Sequence, residues 1–397
     1  MKKYAFLFLA VFMSLSLFLA SCGNKEPNTA LENNEGQQEP TTKEEQTATT
    51  GTYYFTANEG GSIDKIDVAT NEVVETISLE GAVHNVQVSP DGKVLGATLI
   101  TEMEHGNGAN SNTTEHGDDH SEMTNEHNDG ASEHTDDHND AHATDGHSMD
   151  MPTGSAFFFD TETNELIKEV KVGNHPAHIV FTSDGKFSLV TNNEDNTVSV
   201  IDMSKYSVTN TVQTGKGPHG FRISADDKFA YVANMGEDTI SVINLESLTE
   251  EKKIQVGPTP VTTGLTSDGK TLVATLNSEN SLAIVDLDTN EVAMVEVGVG
   301  PAQVYIQGDN KYALIANQGT ADNPSTSVTK VDLESKTVVA TIETGKGSHG
   351  VVVSPDNKFV YVTNMFENTV SVIDNEQNKV IQTVEVGKIP NGISIMP

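Results

Sequence analysis

From residue 52 onward, apolar and polar positions alternate in runs of five or six residues, and the same order of runs keeps returning. One run is Val198-Ser-Val-Ile-Asp202, with counterparts Ser62-Ile-Asp-Lys-Ile-Asp67, Ile240-Ser-Val-Ile-Asn244 and Val370-Ser-Val-Ile-Asp374. Before it stands Tyr53-Tyr-Phe-Thr-Ala-Asn58, matched by Leu189-Val-Thr-Asn192, Ala230-Tyr-Val-Ala-Asn234, Leu314-Ile-Ala-Asn317 and Tyr361-Val-Thr-Asn364, with Thr98 and Thr275 assigned to the Asn slot in two divergent copies. A third run, such as Val380-Ile-Gln-Thr-Val384, precedes a fourth that leads into Ser89-Pro-Asp-Gly-Lys93, Ser183-Asp-Gly-Lys186 or Ser267-Asp-Gly-Lys270. Period-two alternation punctuated by Asp-Gly turns predicts short antiparallel strands joined by tight hairpins. No segment carries a sustained helical period.

Four strands per unit of about forty residues, repeated seven times, predict an all-β, seven-bladed β-propeller. With strands lettered a to d outward from the axis, the chain enters on strand b at Tyr53 and ends on a strand a, Asn391-Gly-Ile-Ser-Ile-Met396. The C-terminal strand therefore joins the N-terminal blade and closes the ring, which removes an open sheet edge. A parallel β-helix fits less well, because its coils are shorter and alternate less regularly. The Tyr-Val-Thr-Asn run at 361–364 and its variants resemble the YVTN-family, YncE-like seven-bladed propellers. The resemblance covers residues 52–397 and implies the fold; that fold hosts binding proteins, scaffolds and enzymes alike.

Charge changes the picture of partners. Lys plus Arg total 23 against 58 Asp plus Glu, a formal net charge of -35. Such a surface repels nucleic acid and anionic headgroups and attracts cations. The single cysteine, Cys22, excludes an intramolecular disulfide and a thiolate metal cluster. It follows Lys2, Lys3, an apolar run from Tyr4 to Leu19, and Ala20-Ser21. That arrangement resembles the bacterial lipobox and implies that residues 1–22 are a lipoprotein signal peptide, with Cys22 lipidated. Residues 23–51, poor in anything to bury, are expected to be a solvated tether. The expected location is extracytoplasmic, on a membrane-bound anchor, with no other membrane contact.

The thirteen histidines fall in two groups. At the start of successive a strands the alignment places His84, His178, His219, Val261, Ala302, His349 and Asn391, with His175 just before His178. Innermost strands surround the central channel, so these imidazoles are expected to converge at its mouth and could hold Zn²⁺ or Cu²⁺. The competing reading is that His before Gly, as in His219-Gly220 and His349-Gly350, only hydrogen-bonds the neighbouring blade. The second group interrupts the second repeat, where residues 101–153 hold His105, His116, His120, His127, His134, His138, His142 and His147 among Asp and Glu. A cysteine-free segment of this kind wraps a borderline cation without a preformed cage. Met149 and Met151 beside His147 keep copper open, while the acidic setting favours zinc. Met235 and Met365, after two of the Asn anchors, are expected to serve loop contacts.

Strand parity puts the b-to-c insertion and the d-to-a histidines on one face of the ring. A secreted propeller with a His/Asp-rich segment resembles the AztD-like periplasmic zinc metallochaperones. That resemblance implies capture of a divalent metal and its transfer to the substrate-binding protein of a metal importer. Two other classes stay open. One is a protein-interaction scaffold without a metal role. The other is an enzyme of lactonase-like or copper-oxidoreductase type, although no Gly-x-Ser-x-Gly elbow is present.

Overall fold

The structure is a computed structural model that describes residues 51–100 and 154–397. The signal segment, Cys22, the tether and the eight histidines of 101–153 lie outside the described residues. Twenty-eight strands, numbered β1 to β28 in chain order, form seven four-stranded antiparallel sheets. Alternate side chains of each middle strand enter the apolar layers between adjacent sheets, as where Val198, Val200, Val232 and Phe221 bury together. The first sheet has the order β28-β1-β2-β3, so β28 (Pro390–Ile395) pairs with β1 (Tyr53–Asn58). Tyr54 opposes Ile395 and Thr56 opposes Ile393, closing the ring as the sequence predicts.

Seven innermost strands touch in cyclic order. They are β28, β4 (Ala82–Val88), β8 (Pro176–Phe181), β12 (Pro218–Ile223), β16 (Pro260–Leu265), β20 (Pro301–Ile306) and β24 (Ser348–Val353). Each breaks register at one place, where two of its residues face one residue of the adjacent strand. The doubled pairs are His84/Asn85, Ala177/His178, His219/Gly220, Val261/Thr262, Ala302/Gln303, His349/Gly350 and Asn391/Gly392. A bulge of this kind re-aims side chains. It sits at the same height in all seven blades.

In four blades a threonine opposite the bulge pins it. Thr98, Thr191, Thr275 and Thr363 accept the backbone N–H of Asn85, His178, Thr262 and Gly350 respectively. The same hydroxyls donate to the next blade, at Ala177 O, His219 O, Ala302 O and Asn391 O, over 2.7 to 3.0 Å. One side chain thus fixes both the bulge and the seam between blades. This register corrects the sequence alignment. Thr98 and Thr275 belong to the threonine slot, and the Asn slot in those blades holds Leu99 and Leu276.

The Asn anchors are structural, though they reach farther than a local turn. Asn234 Nδ2 donates to Thr239 Oγ1 at 3.0 Å and Ser241 Oγ at 2.9 Å on the third strand of its blade, and Asn58, Asn192, Asn317 and Asn364 repeat the pattern. Gly215 lies flat against the Asn234 amide, where a Cβ would collide with it. In the blade with Leu276, the matching Gly257 adopts φ +123° and contacts the leucine instead. Asn and Leu are therefore two solutions that need different glycine geometry. Asn234→Leu should cost about 1–3 kcal/mol, because Thr239 and Ser241 lose their donor inside the sheet. Thermal unfolding of the variant should show a Tm lower by several degrees, and an unchanged Tm would contradict this account.

Candidate metal centre

The bulges bring three imidazoles together. Ligand nitrogens of His84, His178 and His219 all lie within 4.8 Å of one another. Their ring centroids are 5.3 Å apart for His84 and His219, 6.0 Å for His84 and His178, and 4.8 Å for His178 and His219. His84 and His219 are first residues of their bulge pairs. His178 is the second residue of its pair, and Ala177 occupies the slot the sequence alignment gave to His178. The doubled position lets a residue one place along the chain reach the same neck of the channel.

Hydrogen bonds settle how the rings present themselves. His219 Nδ1 is 3.2 Å from Val261 O on the next blade, and only a protonated Nδ1 can serve a carbonyl. His84 Nδ1 is 3.0 Å from Glu59 Oε1, and a carboxylate likewise demands the proton on Nδ1. Asn391 Nδ2 lies 3.3 Å from the same Nδ1, but donates its stronger bond, at 2.6 Å, to Glu59 Oε1. With its proton on Nδ1, a neutral ring carries its lone pair on Nε2. The Nε2 atoms of His84 and His219 are 3.3 Å apart, a distance that either a shared proton or a cation would bridge. His178 Nε2 is buried without a partner beside them. The three rings form a donor set that could hold a cation.

Zinc–imidazole bonds of about 2.0–2.1 Å place tetrahedral neighbours about 3.3–3.4 Å apart; the Nε2 atoms of His84 and His219 stand at 3.3 Å, while the set of three ligand nitrogens spans up to 4.8 Å. A carboxylate or carbonyl on the second ring nitrogen is the usual means of orienting zinc-bound histidine. Glu59 supplies the first and Val261 O the second.

Glu59 was not singled out by the sequence pattern. It directly follows an Asn anchor, where the other blades carry Ile100, Asn193, Met235, Asn277, Gln318 and Met365, so it is the one acid in that slot. That singularity was the available signal. Met365 is buried and accepts from Gln318 Nε2 at 3.5 Å, so it serves loop contacts as expected.

Two expected ligands stand apart from the group. His349 is separated from His84 by the strand of Asn391, and its Nδ1 is 3.3 Å from Asn391 O. His175 occupies the connection before β8 with φ +48°, and its Nδ1 is 3.7 Å from Glu194 Oε1 at the rim. Its ring centroid lies 6.4 Å from that of His84. Val261 and Ala302 interrupt the ring as expected. The site is a three-histidine arc, not a full circle.

The ends of the 101–153 segment flank this arc. Ile100 pairs with Ala82, two residues before His84. Gly154 donates to Gly173 O at 3.2 Å and abuts Pro176, two residues before His178.

Burial, then the neighbouring imidazoles, holds His178 and His219 well below the ordinary histidine range. Burial works against the charged form of Glu59, but bonds from His84 and Asn391 outweigh it and keep its carboxyl low. Below about pH 6.5 the unfolded chain takes up protons at these histidines while the folded metal-free protein does not. Stability conferred by the neutral rings is thus full above that pH and is lost as pH falls towards the folded values. Metal-free protein should show a Tm that declines between about pH 7 and 5, and His178→Phe should flatten that decline. An equally steep decline in the variant would contradict the assignment.

Comparison with known proteins supports the fold reading. The family model for YNCE-like beta-propellers matches residues 158–309 and 293–396. No curated protein matches the chain. Among solved structures, a chain of the Kuenenia stuttgartiensis hydrazine synthase is similar, with a TM-score of 0.62 and 21% identity over 81% of this chain and 91% of its own. A functionally unknown protein from Desulfotomaculum acetoxidans DSM 771 has a TM-score of 0.64 and 12% identity over 86% of this chain and 98% of its own. At such identities both likenesses concern the fold alone. The family match spans more than half of the chain, and with the seven closed blades it places this protein in the YNCE-like β-propeller family.

Proposed function

We propose that this protein is an extracytoplasmic lipoprotein, anchored through Cys22, that captures Zn²⁺ and hands it on. His84, His178 and His219 are the holding site, and the histidines of 101–153 are the collecting strand. One observation carries the reading: two Nε2 lone pairs held 3.3 Å apart by committed Nδ1 donors, beside an unpartnered buried His178 Nε2. With both rings neutral the facing lone pairs repel, and a proton or a metal ion between them relieves that repulsion.

Three nitrogen donors leave a fourth coordination position. A histidine of the 101–153 segment takes it during loading, and a ligand from the recipient takes it during release. The recipient would be the substrate-binding protein of a metal importer. All-imidazole coordination admits Cu²⁺ as well, and the acid-rich 101–153 segment favours zinc. The role is one of binding rather than catalysis. A zinc-bound hydroxide at the same open position would instead make a hydrolase, so turnover of a lactone or ester panel by zinc-loaded protein would replace transfer with catalysis.

Zinc titration should find a tight site in the full chain together with several weak ones. The His84/His178/His219→Ala variant should lose the tight site, whereas deletion of 102–150 should remove the weak sites and slow loading. If the triple variant keeps the tight site, the reading is wrong. Glu59→Gln keeps the size of the side chain but removes the charge behind His84. It should weaken zinc binding by about 10–100-fold, read from the same titration.

A further inference from the structure

Glu59, the carboxylate behind His84, is held from the side of the closing strand. Its backbone N–H donates to Ile389 O at 2.9 Å, and the next one, of Gly60, donates to Lys388 O at 3.0 Å. A Cβ on Gly60 would stand 2.6 Å from Lys388 Cβ, so the turn carrying Glu59 lies flat on the connection into β28. The carboxylate takes Asn391 Nδ2 at 2.6 Å and His84 Nδ1 at 3.0 Å on one oxygen, Oε1. A carboxylate only accepts, so Asn391 must present its amide N–H to it. That commitment leaves Asn391 Oδ1 buried with no hydrogen-bond partner among the described residues.

Asn391 is buried at the first bulge position of β28, where the other blades carry His84, Ala177, His219, Val261, Ala302 and His349. It is the one amide in that slot, as Glu59 is the one acid in its own. The Asn391 carbonyl accepts from Thr363 Oγ1 at 3.0 Å and from His349 Nδ1 at 3.3 Å. Its main chain thus ties it to the blade of β24, and its side chain reaches through Glu59 to His84 on β4. The connection before it is strained. Ile389, a β-branched residue, adopts φ +54°, with its N–H held by Asn368 Oδ1 at 2.9 Å. Such a conformation persists where surrounding contacts over-determine it, and the turn of Glu59 supplies two of them.

We propose that Asn391 is a positioning residue for the zinc site, and that ring closure and zinc occupancy are coupled through it. This coupling rests on the zinc-binding role proposed above. Asn391 fixes the carboxylate of Glu59, the carboxylate fixes the tautomer and aim of His84, and His84 meets the ion. When residues 388–391 lift away, Glu59 loses both acceptors under its turn and the amide on its carboxylate. The three imidazoles remain, but His84 is no longer held. Zinc therefore binds the closed ring more tightly than one whose last strand has lifted at this end, and a bound ion strengthens the closure by the same factor.

Zinc titration of the full chain carrying Asn391→Ala, Glu59→Gln or both tests the link, because a residue that acts only through Glu59 adds nothing once that charge is gone. Asn391→Ala should weaken zinc binding about fivefold on its own, at the lower end of the usual coupling between sites. In the Glu59→Gln background it should cost less than about twofold. Hydrogen exchange of the wild type gives a second reading that needs no variant. Saturating zinc should slow the amides of 388–395 about fivefold, by reciprocity with the titration. That measurement decides alone if Asn391→Ala fails to fold. Losses that multiply in the double variant, or exchange at 388–395 unchanged by bound zinc, overturn the coupling and leave the zinc site standing. A wild type that binds no zinc overturns the proposed function and the coupling with it.

Discussion

In every blade, two residues of the innermost strand stand opposite a single residue of its neighbour, and the neck of the channel is made from those doubled positions. A regular strand would send alternate side chains into the two flanking inter-blade layers. The bulge instead gives each blade two consecutive residues at the neck. Thr98, Thr191, Thr275 and Thr363 hold four of the bulges and stitch them to the following blade, so the geometry of the neck is tied to the seams of the ring. Ring closure by β28 then fixes the circumference on which the imidazoles stand.

Within that frame, a histidine that bonds the next blade is also a candidate ligand. His219 reaches the next blade through Nδ1, which is the bland reading of a His-Gly pair, and in doing so it fixes its tautomer and turns a lone pair towards His84. His84 departs from this habit, its Nδ1 facing a carboxylate rather than the next blade's carbonyl. Glu59 takes over from the preceding blade. One acid at a slot otherwise filled by neutral residues is enough to complete the pair, and it places a charge where a bound cation benefits from it.

The fold was legible because its signals are repeated. Alternation, Asp-Gly turns and Asn anchors recur often enough that one divergent copy cannot mislead, and the closing strand follows because the first repeat lacks the a strand that the last repeat leaves over. The errors are all of one residue. Thr98 and Thr275 were matched to Asn by chemical kinship, although register puts Leu99 and Leu276 there. His178 was matched to His84 and His219 by identity, although Ala177 is their counterpart. A bulge hides such slips, since two adjacent residues share one opposing partner and spacing alone cannot say which is first. Glu59 escaped notice because it follows the repeat's strongest signal and belongs to a turn.

The central claim is that imidazoles from three successive blades share one metal ion. Anomalous diffraction from crystals of zinc-loaded protein, recorded above and below the zinc edge, tests this most directly. The account requires a single strong peak on the channel axis side of β4, β8 and β12, at about 2.0–2.1 Å from nitrogens of His84, His178 and His219. A peak elsewhere, with these three rings still bonded only to one another and to Glu59 and Val261, would contradict it.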